Sequence, residues 1–257
     1  MNTEDRPLIS VITVVFNGER YLETAIRSVI DQDYDNVEYI IIDGGSIDST
    51  LDIINRYDEE IDCWISEADD GIYDAWNKGL REANGEWVCF LGADDVLLKD
   101  ALSNYVNVIR EFNLSESCKY ISSKVDFVDG EKVVREIGEP WVWRKFKRYM
   151  CVAHVGSLHH FSLYDEYGVY DKNYQICGDY ELLLRPSKAL KTFFLDKKTV
   201  RMNSGGISNK LVYKAFAETK NAKLKNKARS VFWSEIDRQI SVFKYLINRV
   251  LAHIKSP

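Results

Sequence analysis

Nine residues near the start of the chain, Leu8–Phe16 (LISVITVVF), carry no charge, no glycine and no proline, and six of them are β-branched. A run with no polar face fits a strand covered on both sides. The next stretch changes period. Over residues 19–32 the apolar positions Tyr21, Leu22, Ala25, Ile26, Val29 and Ile30 recur at helical spacing. The alternation then repeats. Val37–Ile42 reads as a second strand, and Asp48 or Ser49 caps a helix through Leu51, Ile53 and Ile54. Cys63–Ser66 is a third strand, residues 72–83 a helix and Trp87–Leu91 a fourth strand. Short links between such units imply βαβ crossovers, a mostly parallel sheet and an α/β fold. Right-handed crossovers put the loops after these strands along one carboxyl edge, where ligands bind.

The second half is less regular. Tyr120–Phe127 and Lys132–Ile137 read as a hairpin around Val128–Glu131. Residues 178–190 read as helix, Thr192–Leu195 and Thr199–Met202 as two short strands, and 210–254 as helix with a break near Asn226–Ser230. The five cysteines are scattered and never form CxxC, which suits buried thiols in a reducing compartment better than disulfides or zinc. No apolar run approaches the ~18–20 residues of a membrane span, and Met1–Arg6 lacks the features of a secretory signal. The net charge of −6 is unevenly placed: residues 210–257 hold eleven Lys/Arg against three Asp/Glu, so residues 1–209 carry −14. An acidic body without basic–aromatic interleaving argues against nucleic acid as a partner.

Acidic residues gather where ligand-binding loops are expected: Asp43 after the second strand, Glu67–Asp74 (EADDGIYD) after the third, Asp94-Asp95 after the fourth, and Asp179 later. One loop carboxylate alone is ordinarily a solvated cap. The set is more informative, and Asp94-Asp95 most of all. Two adjacent carboxylates raise each other's pKa unless a cation compensates, and a hard ion such as Mg²⁺ or Mn²⁺ does so together with substrate phosphates. The first strand is followed by Asn17-Gly18-Glu19 in place of GxGxxG, and no GxxxxGK[ST] occurs. A metal at Asp94-Asp95 would be the alternative way to neutralise a diphosphate.

The segments VITVVFNGERYLETAIRSVIDQDY, YIIIDGGSIDST, EADDGIYDAWNKG, EWVCFLGADD and ICGDYELLLR resemble family 2 glycosyltransferases of the GT-A fold, in that family's order, over roughly residues 7–209. The closest likeness is to bacterial enzymes adding single sugars to lipid-linked O-antigen or capsule precursors. The resemblance implies a Rossmann-like catalytic domain over 1–209, with a nucleotide-sugar half (about 1–98) and an acceptor half (about 99–209). A helical, basic, amphipathic segment, 210–257, comes after it. The resemblance also implies a UDP-sugar donor contacted by Val15, Phe16, Asn17, Asp43 (accepting from uracil N3), Asp69, Asp74, Asn77 and Lys78. It implies Mn²⁺ or Mg²⁺ on Asp95, with Asp94 reaching ribose or a metal-bound water, and Asp179 as the base on the acceptor hydroxyl. Trp143, His154 and Glu181 are candidates for the acceptor. Trp143 also suits interior packing, and His154 suits a structural histidine, since no ExxH or HxxxH spacing accompanies it. Gly178 stands where the family often has Glu, Ala68 replaces a common proline, and the Gln-x-x-Arg-Trp element of processive synthases is absent.

The chemistry is coherent by itself. Transfer from a sugar diphosphate needs a cation on the leaving group and a base on the incoming alcohol. One base opposite the leaving group gives a single displacement, so an α-linked UDP-sugar yields a β-glycoside; retention through a covalent intermediate would need a second carboxylate. Two other readings compete: a sugar-phosphate nucleotidyltransferase, which would want a basic glycine-rich loop after the first strand, and a non-catalytic sugar-nucleotide-binding module. The loop Met202–Ser208 with paired glycines suits either a lid or a plain turn. Residues 230–255 place Phe232, Ile236, Ile240, Phe243, Ile247, Val250, Leu251 and Ile254 on one helical stripe among Arg238, Lys244, Arg249 and Lys255. That pattern suits a peripheral contact with the inner face of the cytoplasmic membrane, or else packing on the catalytic domain or in a homodimer.

Overall fold

The computed structural model describes residues 6–206 and 211–255, and side chains through residue 250. At the centre of its sheet lies β1 (Ile9–Val15), all seven residues buried. β2 (Val37–Asp43) and β4 (Trp87–Gly92) flank it in parallel, and β3 (Cys63–Ser66) extends β2 in parallel. Pleating sends alternate side chains of β1 to opposite layers. Ile9, Val11 and Val15 pack with Leu22, Ile26 and Val29 of α1 (Leu22–Ile30) and with Ile53 and Ile54 of α2 (Thr50–Arg56). Ile12 and Val14 pack with Tyr73, Trp76 and Leu80 of α3 (Ile72–Glu82). The unbroken apolar run is thus a three-layer core seen in one dimension. At α2, Ser49 holds the N-cap position without a cap bond, and Asp48 Oδ1 accepts the Thr50 N–H at 3.0 Å instead.

Beyond β4 the sheet becomes mixed. β5 (Val96–Leu97), β6 (Tyr120–Asp129), β7 (Lys132–Ile137), β8 (Leu158–His160) and β9 (Thr192–Asn203) complete it, in the order β3-β2-β1-β4-β8-β6-β9-β5, with β7 paired to β6. Sequence pattern misses β5 and β8, which are two and three residues long. The two strands expected over 192–202 are one. β9 runs parallel to β6 through a register shift at Asp196-Lys197, and that charged interruption reads in sequence as a gap.

The remaining helices are α4 (Ala101–Glu111), α5 (Leu114–Ser117), α6 (Trp143–Phe146), α7 (Ser162–Tyr167), α8 (Gly178–Leu184), α9 (Val212–Lys225) and α10 (Val231–Lys255). The helix expected over 178–190 stops at Leu184, because Pro186 has no N–H to continue the ladder; a 3₁₀ turn comes next at Ser187–Ala189. The break between α9 and α10 falls at Asn226–Ser230, where the sequence puts it. α9 is docked on the body: Lys225 pairs with Asp171 at 2.7 Å and with Glu181 at 3.0 Å. The 209/210 boundary and residues 207–208 of the glycine loop lie outside the described residues, as do the side chains of Leu251, Ile254 and Lys255. Among the described residues no helix is long and apolar enough to cross a membrane.

Candidate active site

The carboxyl ends of β1, β2, β3 and β4 share one edge, and their loops touch. Gly44 N donates to Val15 O at 2.9 Å. Asn17, at φ +50°, accepts the Ile47 N–H on Oδ1 at 3.0 Å. A Cβ on Gly44 would lie 2.5 Å from Asp69 Oδ2 and 3.5 Å from the Phe16 ring, so glycine lets these two approach. Phe16 is 64% exposed, an aromatic face open to solvent at the mouth of the sheet. Asp69 Oδ1 accepts the Gly71 N–H, and Asp74 Oδ2 accepts the Asp70 N–H, so both carboxylates brace the turn before α3.

Several residues expected at the nucleotide contact protein instead. Asp43 is fully buried; Oδ2 accepts from Gly45 N, Ser46 N and Ser66 Oγ, and Oδ1 from Ser46 Oγ. That shell folds the Gly44–Ser46 turn and leaves no exposed face for uracil. Asn77 clamps Tyr170, giving its amide to the carbonyl at 2.8 Å and accepting the N–H at 3.0 Å. Lys78 is buried and turned to the loop, donating to Ala68 O and pairing with Glu67, both at 2.8 Å. Val15 offers a carbonyl that Gly44 already occupies.

Asp94 and Asp95 leave β4 after Gly92, where a Cβ would sit 2.6 Å from Asp95 Oδ2. Asp95 is 5% exposed, accepts the Asn203 N–H on Oδ1 at 2.9 Å and forms no ion pair among the described residues. Burial first, and the Asp94 charge second, push its carboxyl up to about 7. The buried Asp95 carboxylate beside that of Asp94 is a donor set that fits a hard divalent ion completed by substrate oxygens. Among the described residues no cluster of three or more such ligands exists, so an ion held here would need further ligands from substrate or water. The end of β9 brings Gly205 to the same place, about 4.0 Å from Asp94 Oδ2 on its Cβ side.

Asp179 stands in the first turn of α8, half-buried. Its Oδ1 accepts the Tyr180 N–H at 2.8 Å and lies 3.2 Å from the Tyr73 hydroxyl, which also donates to Ile176 O at 2.7 Å. Burial raises Asp179 to about 6, and the Glu218 charge adds to that. Tyr73 lies in the first turn of α3, just after the Asp69 loop, so the late aspartate is tied directly to the carboxyl-edge elements. Sequence reasoning missed three of its supports. Tyr73 is one. Gly178 is the second: a Cβ there would meet the Tyr73 ring at 2.8 Å, which is why no side chain precedes Asp179 here. Glu218 of α9 is the third, accepting N–H groups from Gln175, Ile176 and Cys177 at 2.8–3.3 Å and closing the turn that delivers Asp179. Gly178→Ala is therefore expected to cost about 1–3 kcal/mol of stability through overpacking. Turnover should fall as Tyr73 shifts; thermal unfolding and kcat check both.

The acceptor candidates divide. Trp143 is half-buried beside Trp141, against the second core layer. His154 is corrected to a core residue: 6% exposed, stacked on Trp76 at 4.8 Å, bonded to Tyr170 Oη at 3.0 Å and held neutral by burial, its pKa down to about 3. Glu181 is corrected likewise. It is fully buried and saturated by Arg185 at 2.6 Å, Asn226 and Lys225, so it joins α8 to α9.

The model of Glycosyl transferase family 2 matches residues 10–160. The PGL/p-HBAD biosynthesis glycosyltransferase of Mycobacterium tuberculosis is 30% identical over 223 residues, 82% of each chain. TuaG of Bacillus subtilis, a glycosyltransferase named for teichuronic acid biosynthesis, is 39% identical over 46% of each chain. Among solved structures, S. aureus TarS 1–349 in complex with UDP superposes with TM-score 0.68 at 16% identity, covering 91% of this chain and 70% of that one. Of the longer TarS chain, this protein spans 39% at TM-score 0.67. The mannosyltransferase PcManGT from Pyrobaculum calidifontis, in complex with GDP-Man and Mn²⁺, gives TM-score 0.59 at 15% identity over 96% of this chain and 79% of that one. These likenesses show the GT-A fold.

Proposed function

The chain belongs to glycosyl transferase family 2, and from that premise we propose that it moves one sugar from a UDP-sugar to a hydroxyl of a lipid-diphosphate-linked glycan, with inversion to a β-linkage, in cell-surface polysaccharide synthesis of the O-antigen or capsule kind. The observation that carries this reading is the pairing of two unlike carboxylate sites on one scaffold. Asp94-Asp95 places two adjacent carboxylates at the end of β4, that of Asp95 buried, and Asp179 sits on α8 with its pKa lifted toward neutrality. Fold neighbours solved with UDP and with UDP-GlcNAc support the donor class, and the one solved with Mn²⁺ supports the metal. Relatives named for PGL/p-HBAD and teichuronic acid biosynthesis support the acceptor class.

In this account Phe16 offers its exposed ring to the base, and Asp69 and Asp74 shape the loop over the ribose and diphosphate. Asp95 and Asp94 hold Mn²⁺ or Mg²⁺, which when bound neutralises charge on the leaving diphosphate. Asp179 removes the proton of the attacking hydroxyl; a base near pKa 6 is largely ionised at neutral pH yet still basic enough to act. Trp143 is the remaining acceptor candidate, at the start of the helix whose Phe146 carbonyl holds Tyr180. The protein works at the inner face of the cytoplasmic membrane, with α10 against the lipid. A donor screen tests this: UDP-Glc, UDP-Gal, UDP-GlcNAc and UDP-GalNAc with a lipid-diphosphate sugar, with and without Mn²⁺. Metal-dependent UDP release coupled to a glycosylated product is expected; release of pyrophosphate, or no transfer with any of the four, contradicts it.

A further inference from the structure

Between α6 and the first half of α10 lies a cavity of about 420 Å³ whose wall includes Arg144, Lys147, Arg148 and Arg229. The one acid in it, Asp237, already serves three cations: Arg229 at 2.9 Å, Lys223 at 3.1 Å and Arg148 at 3.8 Å. Arg144 and Lys147 form no ion pair among the described residues. The cavity therefore holds a surplus of positive charge that the protein does not balance. Its other wall is apolar, with Trp233 and Ile240 of α10 exposed by 50% and 40%.

Those two residues also border a longer feature. On α10, Ser234 and Asp237 face inward and are buried, whereas Phe232, Ile240, Phe243, Ile247 and Val250 remain 40–67% exposed. The exposed positions recur at helical spacing from 232 to 250, a stripe about 27 Å long at the helical rise. So large an apolar stripe asks for a partner, and a cationic hole at one end of it says what the partner carries. A free phosphate or a nucleotide would use the hole and leave the stripe in water. A parallel two-fold pairing of stripes would bring two surplus-positive cavities side by side, against their own repulsion.

We propose that this cavity seats the phosphate of an anionic membrane phospholipid, with the stripe of α10 lying in the acyl layer. The proposal rests on the reading that the protein acts at a membrane, and it names the headgroup site. It also gives that site a route to the chemistry. α6, which supplies Arg144, ends at Phe146, whose carbonyl accepts the Tyr180 hydroxyl at 2.9 Å, and Tyr180 adjoins Asp179. Seating the lipid here brings the membrane to the side of the molecule where the base helix begins, where a lipid-borne acceptor must arrive.

The test is co-sedimentation of the full chain with vesicles of phosphatidylcholine alone, or with phosphatidylglycerol added, at low and high salt. Wild type should bind the phosphatidylglycerol vesicles and lose binding in high salt. Arg144→Glu/Lys147→Glu should weaken that binding about thirtyfold or more, since each basic residue near an anionic surface contributes ~1 kcal/mol. Phe243→Glu should weaken binding to the same vesicles. Thermal unfolding serves as the fold control, and should the double reversal fail to fold, Arg144→Gln/Lys147→Gln tests the same point. A double variant that binds like wild type overturns the headgroup site and leaves the membrane reading standing. A wild type that binds neither vesicle removes both. Binding that requires added polyprenyl diphosphate assigns the cavity to the acceptor and overturns the phospholipid. A dimer abolished by Phe243→Glu gives the stripe to a second copy, which also overturns the proposal.

Discussion

An Asp179→Asn variant is expected to turn over about 10²–10⁴-fold more slowly than wild type, the usual contribution of a positioned general base, while UDP affinity stays within about twofold. The substitution keeps shape and the Tyr180 and Tyr73 contacts but removes basicity. pH sharpens the expectation. As a general base Asp179 would work only when ionised, and burial raises it to about 6. Turnover with saturating cation should therefore drop about tenfold per unit as pH falls below about 6 and level off above it. The variant should lose that acid limb. A matching loss of UDP affinity would instead make Asp179 part of the donor site. The groups that face Asp179 from its neighbours are Tyr73 on α3, Tyr170, Cys177 and Glu218 on α9. Among them only Glu218 brings a second full negative charge, so Glu218→Gln should shift the limb downward.

If Asp95 holds the cation, Asp95→Ala is expected to lower transfer on the order of 10³-fold, because a cation on the leaving diphosphate is worth several kcal/mol of transition-state charge stabilisation. Chelator should reproduce that loss in wild type, and added Mn²⁺ or Mg²⁺ should reverse it in wild type only. The same variant carries an opposite expectation for stability. The folded pKa of Asp95, about 7, lies above the ordinary carboxyl value. Its favourable contribution is thus present below about pH 4 and lost as pH rises through about 7. Metal-free Asp95→Ala should accordingly melt no lower than metal-free wild type at pH 8. A large drop in melting temperature there would make Asp95 a structural residue, and full activity in excess EDTA would remove the metal from the account.

How far the sequence carries depends on whether a feature is local. Ile9–Val15 announces a doubly covered strand because both faces are written in consecutive residues, and the β1–α3 crossovers emerge from period changes alone. Asp94-Asp95 is legible for the same reason, as two charges at the exit of a buried run. Contacts across long separations are not. The Gly45 and Ser46 donors to Asp43 are local, but nothing near it says that Ser66 will complete the shell, because Ser66 arrives from another strand. Glu181 looks like a spare carboxylate beside Asp179 until α9 brings Lys225 and Asn226 onto it. One signal is present in the chain: Glu218 is the single acid between residues 210 and 234, among seven cations, and it closes the turn before Asp179. β9 shows the reverse error, in which a local charge run hides a continuous strand.

Inversion at the donor carbon is read from the anomeric configuration of the product. Proton NMR of the glycoside formed from an α-linked UDP-sugar reports it from the coupling of the new anomeric proton. One base, Asp179, opposite a leaving group held by Asp94-Asp95 gives a single displacement, so a β-linkage is the expected result. An α-linked product would contradict it, since retention requires a nucleophile that this assignment of carboxylates does not supply.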